Sequence, residues 1–153
     1  MLAVLQRVNR ASVVADGALS GAIGKGLYIL LGVKEGDTDN DAILLADKIS
    51  KLRIFSDDNG KMNLSVNDID GEALVVSNFT LCANYSHGNR PDYFSAAAPD
   101  EANRLYLYFV SLMKERVRSC QTGVFGADMQ TEMETDGPVT IVMDSAALTK
   151  SKK

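Results

Sequence analysis

A chain of 153 residues with 46% hydrophobic positions is long enough for one domain with its own core, since domains cluster at roughly 100–150 residues. Its formal charge of -4 argues against the broad basic face of a general DNA or RNA binder, and Cys82 and Cys120 are too far apart to outline a disulfide framework or a zinc site. Both cysteines are expected as reduced thiols; with an opening too polar for a signal peptide and no apolar run of membrane-spanning length, a cytoplasmic protein with no membrane partner is expected.

Residues 2–8, LAVLQRV, and 11–16, ASVVAD, read as two short strands, and Asp16-Gly17 as a two-residue turn into ALSGAIG. GLYILLGV (26–33) is a continuous apolar run bounded by glycines, the pattern of a strand covered on both faces. Asp and Thr cap candidates follow, then Ala42, Leu45, Ala46, Ile49 and Leu52 at helical spacing. After a turn at Asp58-Asn59-Gly60, EALVVSNFTL (72–81) repeats the buried-strand pattern, and CANYSHGNRPDYF (82–94) reads as a polar loop. A second helix is predicted from Pro99, with Ala102, Leu105, Tyr106, Phe109, Leu112, Met113 and Val117 on one face. QTGVF, DMQTEMET and PVTIVMD predict three more strands, the last two a hairpin interrupted by Gly137-Pro138. The order is two strands, two strand–helix units and three strands: an α/β domain over residues 1–147 with one mixed sheet and helices on one face. Residues 148–153 are expected as a disordered basic tail.

Three tempting motifs fail. DTDNDAILLADK starts like a calcium loop, but Ala42 stands where the sharp turn needs Gly and Lys48 where a bidentate Glu belongs. GALSGAIGKG lacks the first glycine of a phosphate loop, which is Leu19, and has Gly26 where a magnesium-binding Ser or Thr would follow Lys25. His87 is the only histidine, so any Ser-His or Cys-His mechanism must run through it and a multi-histidine metal site is excluded. Its polar surroundings favour a solvated or substrate-contacting loop residue over a catalytic base. No metal and no cofactor are expected.

SNFTL (77–81) and TDGPVT (135–140), together with LRIFSDDNGKMNLSV and TGVFGADMQ, closely resemble the D-aminoacyl-tRNA deacylases, collinearly from AVLQRV to VTIVMD. The resemblance implies a three-layer α/β/β fold, a homodimer, and aminoacyl-tRNA as partner. It also implies hydrolysis of the ester that joins a D-amino acid, or glycine, to the terminal adenosine of tRNA. Two positions depart from the family signatures: Asn78 stands for Gln and Thr135 for Asn. A sister group acting on achiral or L-alanyl mischarged tRNA has Thr at the second position but Pro where this chain has Ser77, so the D-specific group is the better match.

By resemblance, Ser77, Asn78, Phe79 and Thr80 form the catalytic segment, with the ester near the backbone amides of Phe79 and Thr80. Such an ester is already activated, so oriented water and oxyanion donors suffice, and Thr80 is expected to position rather than attack. The ribose 2′-hydroxyl is a candidate for moving the proton. Phe125 and Met129 would contact the terminal adenine, against a plainer reading as core residues; Arg90, in a loop with Gly88 and Pro91, would hold a phosphate. The family's Gly-Pro bond is cis and enters the other subunit's active site, which makes Gly137 and Pro138 the expected chiral filter. The plain alternative is a trans turn proline, since only roughly 5% of X–Pro bonds are cis. Three alternatives stay open: a deacylase of altered selectivity for glycyl- or L-alanyl-tRNA, a tRNA binder without hydrolysis, and a generic esterase.

Overall fold

Alternate residues of two neighbouring strands feed two separate cores. In the computed structural model, which describes residues 1–149, β3 (Gly26–Gly32) and β6 (Glu72–Ser77) pair in parallel, from Gly26 opposite Glu72 to Leu31 opposite Ser77. Leu27, Ile29, Leu31, Ala73 and Val75 face a core beneath α1 (Asp39–Lys51) and α2 (Pro99–Arg116). Tyr28, Leu74 and Val76 face a second core with Val8, Ala11, Val13 and Ile23. Burial on both faces is why these stretches read as unbroken apolar runs. The helices bury the predicted stripes, Leu45 and Ile49 from α1 against Leu105, Phe109 and Met113 from α2.

The second core exists because the sheet curls. Its order is β2-β1-β3-β6-β7, with β1 (Leu2–Ala15), β2 (Ala18–Ile23) and β7 (Cys120–Thr122). β2 folds back over the far end: Ser20 Oγ donates to the Thr122 carbonyl at 2.7 Å, and a Cβ on Gly21 would lie 2.9 Å from that oxygen. Helices, central strands and folded-over strands make the three layers of the expected α/β/β arrangement.

At both ends of the chain, the pairing differs from the sequence reading. LAVLQRV and ASVVAD are one 14-residue strand, not two. One edge of β1 pairs β3 along residues 2–8 and β2 along 11–15, while the other pairs β8 (Met129–Asp144) along its length. From Val8 to Arg10 the partner steps only from Thr135 to Glu134, so Asn9 is an extra residue. That bulge inverts the alternation: Ala3 and Leu5 face the helical core, Ala11 and Val13 the second.

DMQTEMET and PVTIVMD are likewise one strand of 16 residues, and the expected hairpin does not exist. Pairing passes from Gln6 with Thr140 to Val8 with Thr135, so residues 136–139 loop out of the ladder. A proline, which cannot donate to a ladder, is accommodated there. QTGVF contributes only its first residues to β7, and the Asp58-Asn59-Gly60 turn joins β4 (Phe55–Ser56) to β5 (Met62–Leu64), a hairpin too short for periodicity to reveal. Leu148 and Thr149, expected within a disordered tail, end α3 (Ser145–Thr149), with Leu148 packed on the helical core; the rest of that expectation, residues 150–153, lies outside the described residues. Among the described residues no helix is long and apolar enough to cross a membrane.

Candidate active site

β3, β6 and β7 are parallel, and their carboxyl ends open together, where sheets of this kind commonly bind ligands. A cleft of about 710 Å³ lies there. Leu31, Val33, Ser77, Asn78 and Phe79 line it from the ends of β3 and β6, Phe125 from the segment joining β7 to β8, Met129 from the start of β8, Tyr106 from α2, and Tyr93 and Phe94 from the loop before α2. A more open depression of about 900 Å³ on the β1–β2–β8 face holds none of the expected residues; of its charged groups Arg10, Glu132 and Glu134, Arg10 pairs with Glu134 at 3.6 Å.

The local fold of the catalytic segment follows from one short side chain. The Asn78 N–H donates to the Leu31 carbonyl at 2.8 Å as the last rung beside β6, and the chain then tightens into a 3-10 turn, Phe79–Cys82. Asn78 caps that turn, its Oδ1 accepting from the Thr80 N–H at 3.2 Å and from the Thr80 hydroxyl. The two amides named by the sequence therefore differ: that of Thr80 is engaged by Asn78, whereas that of Phe79, at the first position of the turn, has no acceptor within it. The turn rests on Gly32, where a Cβ would lie 3.1 Å from the Asn78 carbonyl oxygen and 3.0 Å from Leu81 Cβ.

No Asp, Glu, His, Lys or Arg is among the residues lining the cleft. Burial pushes the Tyr106 phenol up to about 12, and it donates to the Val75 carbonyl at 3.0 Å. Cys82, buried in the turn, has its thiol raised by burial. Neither is an activated nucleophile. A neutral site with an open amide suits attack by water on a reactive ester, whose developing oxyanion needs a fixed donor more than a strong base.

Phe125 and Met129 are half-buried. Phe125 packs on the helical core with its ring 6.0 Å from that of Tyr106, Met129 packs on the second core, and both line the cleft. Ser77, Asn78 and Phe79 are thus brought together with Phe125 and Met129. Thr80, exposed, is not among the lining residues, and Arg90 and His87 stand exposed on the loop between Asn84 and Asp92.

Gly137 and Pro138 lie outside the cleft of their own chain, in the β8 bulge. Their peptide bond is cis and Gly137 has φ +148, where a side chain would collide with the Val139 backbone nitrogen. The residue that sequence reasoning missed is Arg7. It is 8% exposed; its Nε donates to the Asp136 carbonyl at 3.0 Å and meets the Asp136 carboxylate at 3.2 Å, and its Nη1 donates to the Ile54 carbonyl at 2.8 Å. One buried guanidinium thus ties the bulge to the body of the domain. The signal was present: alternation from Ala3 and Leu5 puts position 7 on the core face, where a charge needs partners.

The family model described as D-Tyr-tRNA(Tyr) deacylase matches residues 4–144. A relative from Geobacter sulfurreducens named D-aminoacyl-tRNA deacylase is 50% identical, covering 99% of this chain and 99% of its own. Another of that name, from Anaeromyxobacter dehalogenans, is 53% identical over 97% of this chain and 99% of its own. Among solved structures, one described as c-Myc DNA Unwinding Element Binding Protein superposes with a TM-score of 0.88 at 40% identity, over 94% of this chain and 98% of its own. A second, described as a probable eukaryotic D-amino acid tRNA deacylase, reaches 0.80 at 14% identity over 93% and 97%, a likeness of fold alone.

Proposed function

The chain belongs to the D-Tyr-tRNA(Tyr) deacylase family, and from that premise we propose that it hydrolyses D-aminoacyl-tRNA, releasing the D-amino acid and the tRNA. The supporting observation is the cleft at the ends of β3 and β6: an open Phe79 amide beside an apolar wall of Phe125 and Met129, with no charged side chain in its lining. The terminal adenine lies against Phe125 and Met129, and the ester carbonyl faces the Phe79 N–H. One such donor is worth about 2.7–4 kcal/mol of transition-state stabilisation in comparable sites.

Thr80 acts through position. Its hydroxyl hydrogen is directed to Asn78 Oδ1, and no base stands beside its oxygen among the hydrogen bonds of the turn. Water attacks the carbonyl carbon, the C–O bond to the ribose breaks, and the leaving ribose oxygen takes up a proton with the neighbouring 2′-hydroxyl as relay. Arg90 meets a phosphate of the tRNA from outside the cleft. Acting on charged tRNA implies the cytoplasm.

Selection of the D-form uses Gly137 and Pro138 supplied by a second copy of the chain, because neither lines the cleft of its own chain. A homodimer is supported by β8: it pairs with β1 on one edge and with no other named strand among the described residues, and such a strand edge, on either side of the bulge, invites a partner. Carbonyl groups held by the bulge receive the α-ammonium and leave no room for an L side chain; a D side chain projects away, and glycine, having none, is also accepted.

One deacylation assay on matched D-tyrosyl-, L-tyrosyl- and glycyl-tRNA tests the reading. Rapid loss of the D- and glycyl esters with the L-ester intact is expected. Equal loss of D and L would remove the chiral filter, binding without any loss would leave a tRNA binder, and cleavage of simple aryl esters at similar rates would indicate a generic esterase.

A further inference from the structure

The loop between the 3-10 turn and α2 is fixed in place, yet the reaction described above uses only Arg90 from it. Asn84 and Asp92 exchange two backbone hydrogen bonds of 2.8 and 2.9 Å, and Asn84 Nδ2 adds a third to the Asp92 carboxylate at 3.1 Å. At its base, Ser95 Oγ donates to the Cys82 carbonyl at 2.9 Å, and the Glu35 N–H donates to the Ser95 carbonyl at 2.8 Å. This frame holds large rings in water. Tyr85 is 81% and Phe94 86% exposed, while the Phe79 ring, 59% exposed, meets Tyr93 edge-on at 5.1 Å.

Exposed aromatic rings on a fixed frame mark a surface that expects a partner. Phe94 belongs both to this surface and to the lining of the cleft, so the surface is continuous with the substrate site. Among residues 82–98 the only permanently cationic side chain is Arg90, in a chain of net charge -4. Such a surface suits flat, uncharged rings better than a run of phosphates.

We propose that this loop receives the single-stranded 3′ arm of tRNA by stacking, Phe94 against the base that precedes the terminal adenosine and Tyr85 against the next. The inference rests on the deacylase reading, which seats the terminal nucleoside on Phe125 and Met129 in the cleft whose lining Phe94 shares. Stacking on aromatic side chains tolerates any base, as an enzyme serving many tRNAs requires. With one arginine in the loop, binding depends only shallowly on salt, with a log–log slope near about -0.7 for a single phosphate contact.

The test compares D-tyrosyl-tRNA with the minimal ester 3′-O-D-tyrosyl-adenosine, using the wild type, Phe94→Ala, Tyr85→Ala and Phe94→Trp, with light scattering on each and binding of uncharged tRNA by fluorescence anisotropy. Each alanine variant should raise the ratio of the two KM values about tenfold, a typical effect of losing one base stack, and Phe94→Trp should restore it. A ratio equal to that of the wild type in both alanine variants overturns the proposal. So does loss of the homodimer in those variants, which would assign the rings to a contact between copies. If the wild type cleaves neither ester, the deacylase reading fails by itself and the anisotropy decides: tRNA affinity lowered about tenfold by the alanine variants upholds the stacking surface, and unchanged affinity removes it.

Discussion

The cleft and the Gly137-Pro138 bulge, which the proposed reaction brings together across two copies of the chain, are held in opposite ways. The cleft stands at the ends of strands buried on both faces, with two cores converging beneath Phe125 and Met129. The bulge interrupts a strand whose residues 130–135 are all exposed, and it is tied to the domain by the guanidinium of Arg7. Packing is distributed over many contacts, whereas a buried ionic anchor concentrates its effect in one side chain. The two regions should therefore fail separately.

The largest effect tests the packed side. Phe109→Ala, at a fully buried position in the helical core, should lower unfolding free energy by about 3–5 kcal/mol in urea titration. The D/L ratio of the remaining folded enzyme should not move; a changed ratio would couple the two regions. Next comes the anchor. Arg7→Ala removes charge-assisted hydrogen bonds to Asp136 and Ile54 and should cost about 2–3 kcal/mol, less than a fully buried pair because the Asp136 side chain is 38% exposed. D/L discrimination measured on matched tyrosyl-tRNAs should fall with it, and an intact ratio would show that the bulge needs no anchor.

Smaller effects belong to the turn. Asn78→Ala removes a cap worth about 1 kcal/mol and releases the Thr80 amide; single-turnover kinetics should show an altered rate on the D-ester at unchanged selectivity, since the proposed filter is Gly137 and Pro138 and not the turn. Thr80→Ala should retain most of the activity, and a trapped acyl-enzyme on Thr80 would refute its positioning role. The smallest effect concerns the thiols. Burial pushes Cys120 up to about 11 and raises Cys82, so at pH 8 only about one Cys120 in a thousand is a thiolate. A disulfide reagent should modify the native protein slowly and the urea-unfolded chain at once.

Legibility divided along physical lines. α1 and α2 were readable because amphipathic periodicity is a local property that burial only reinforces, and GLYILLGV and the ALVV of β6 announced two-sided burial by their unbroken apolar runs. The catalytic segment was legible as a resemblance, but its geometry was not. That Asn78 Oδ1 takes the Thr80 amide depends on the tightness of the turn, which Gly32 permits from another strand. Arg90 and Thr80 were grouped with residues whose cleft they do not line, because neighbours in sequence diverge once a strand ends in a turn.

The amino-acid sequence by itself determined the local conformations, the two-sided strands and the membership of a family, all of which rest on residue type and short-range spacing. Only the tertiary structure decided that DMQTEMET and PVTIVMD are one strand and not a hairpin, with the Gly-Pro pair looped out between them. Alternation shows that a segment is extended but not which strand it pairs with, nor how many residues a bulge absorbs. The long partner that β8 found in β1, and the arginine that β1 buries beneath the bulge, settled both questions.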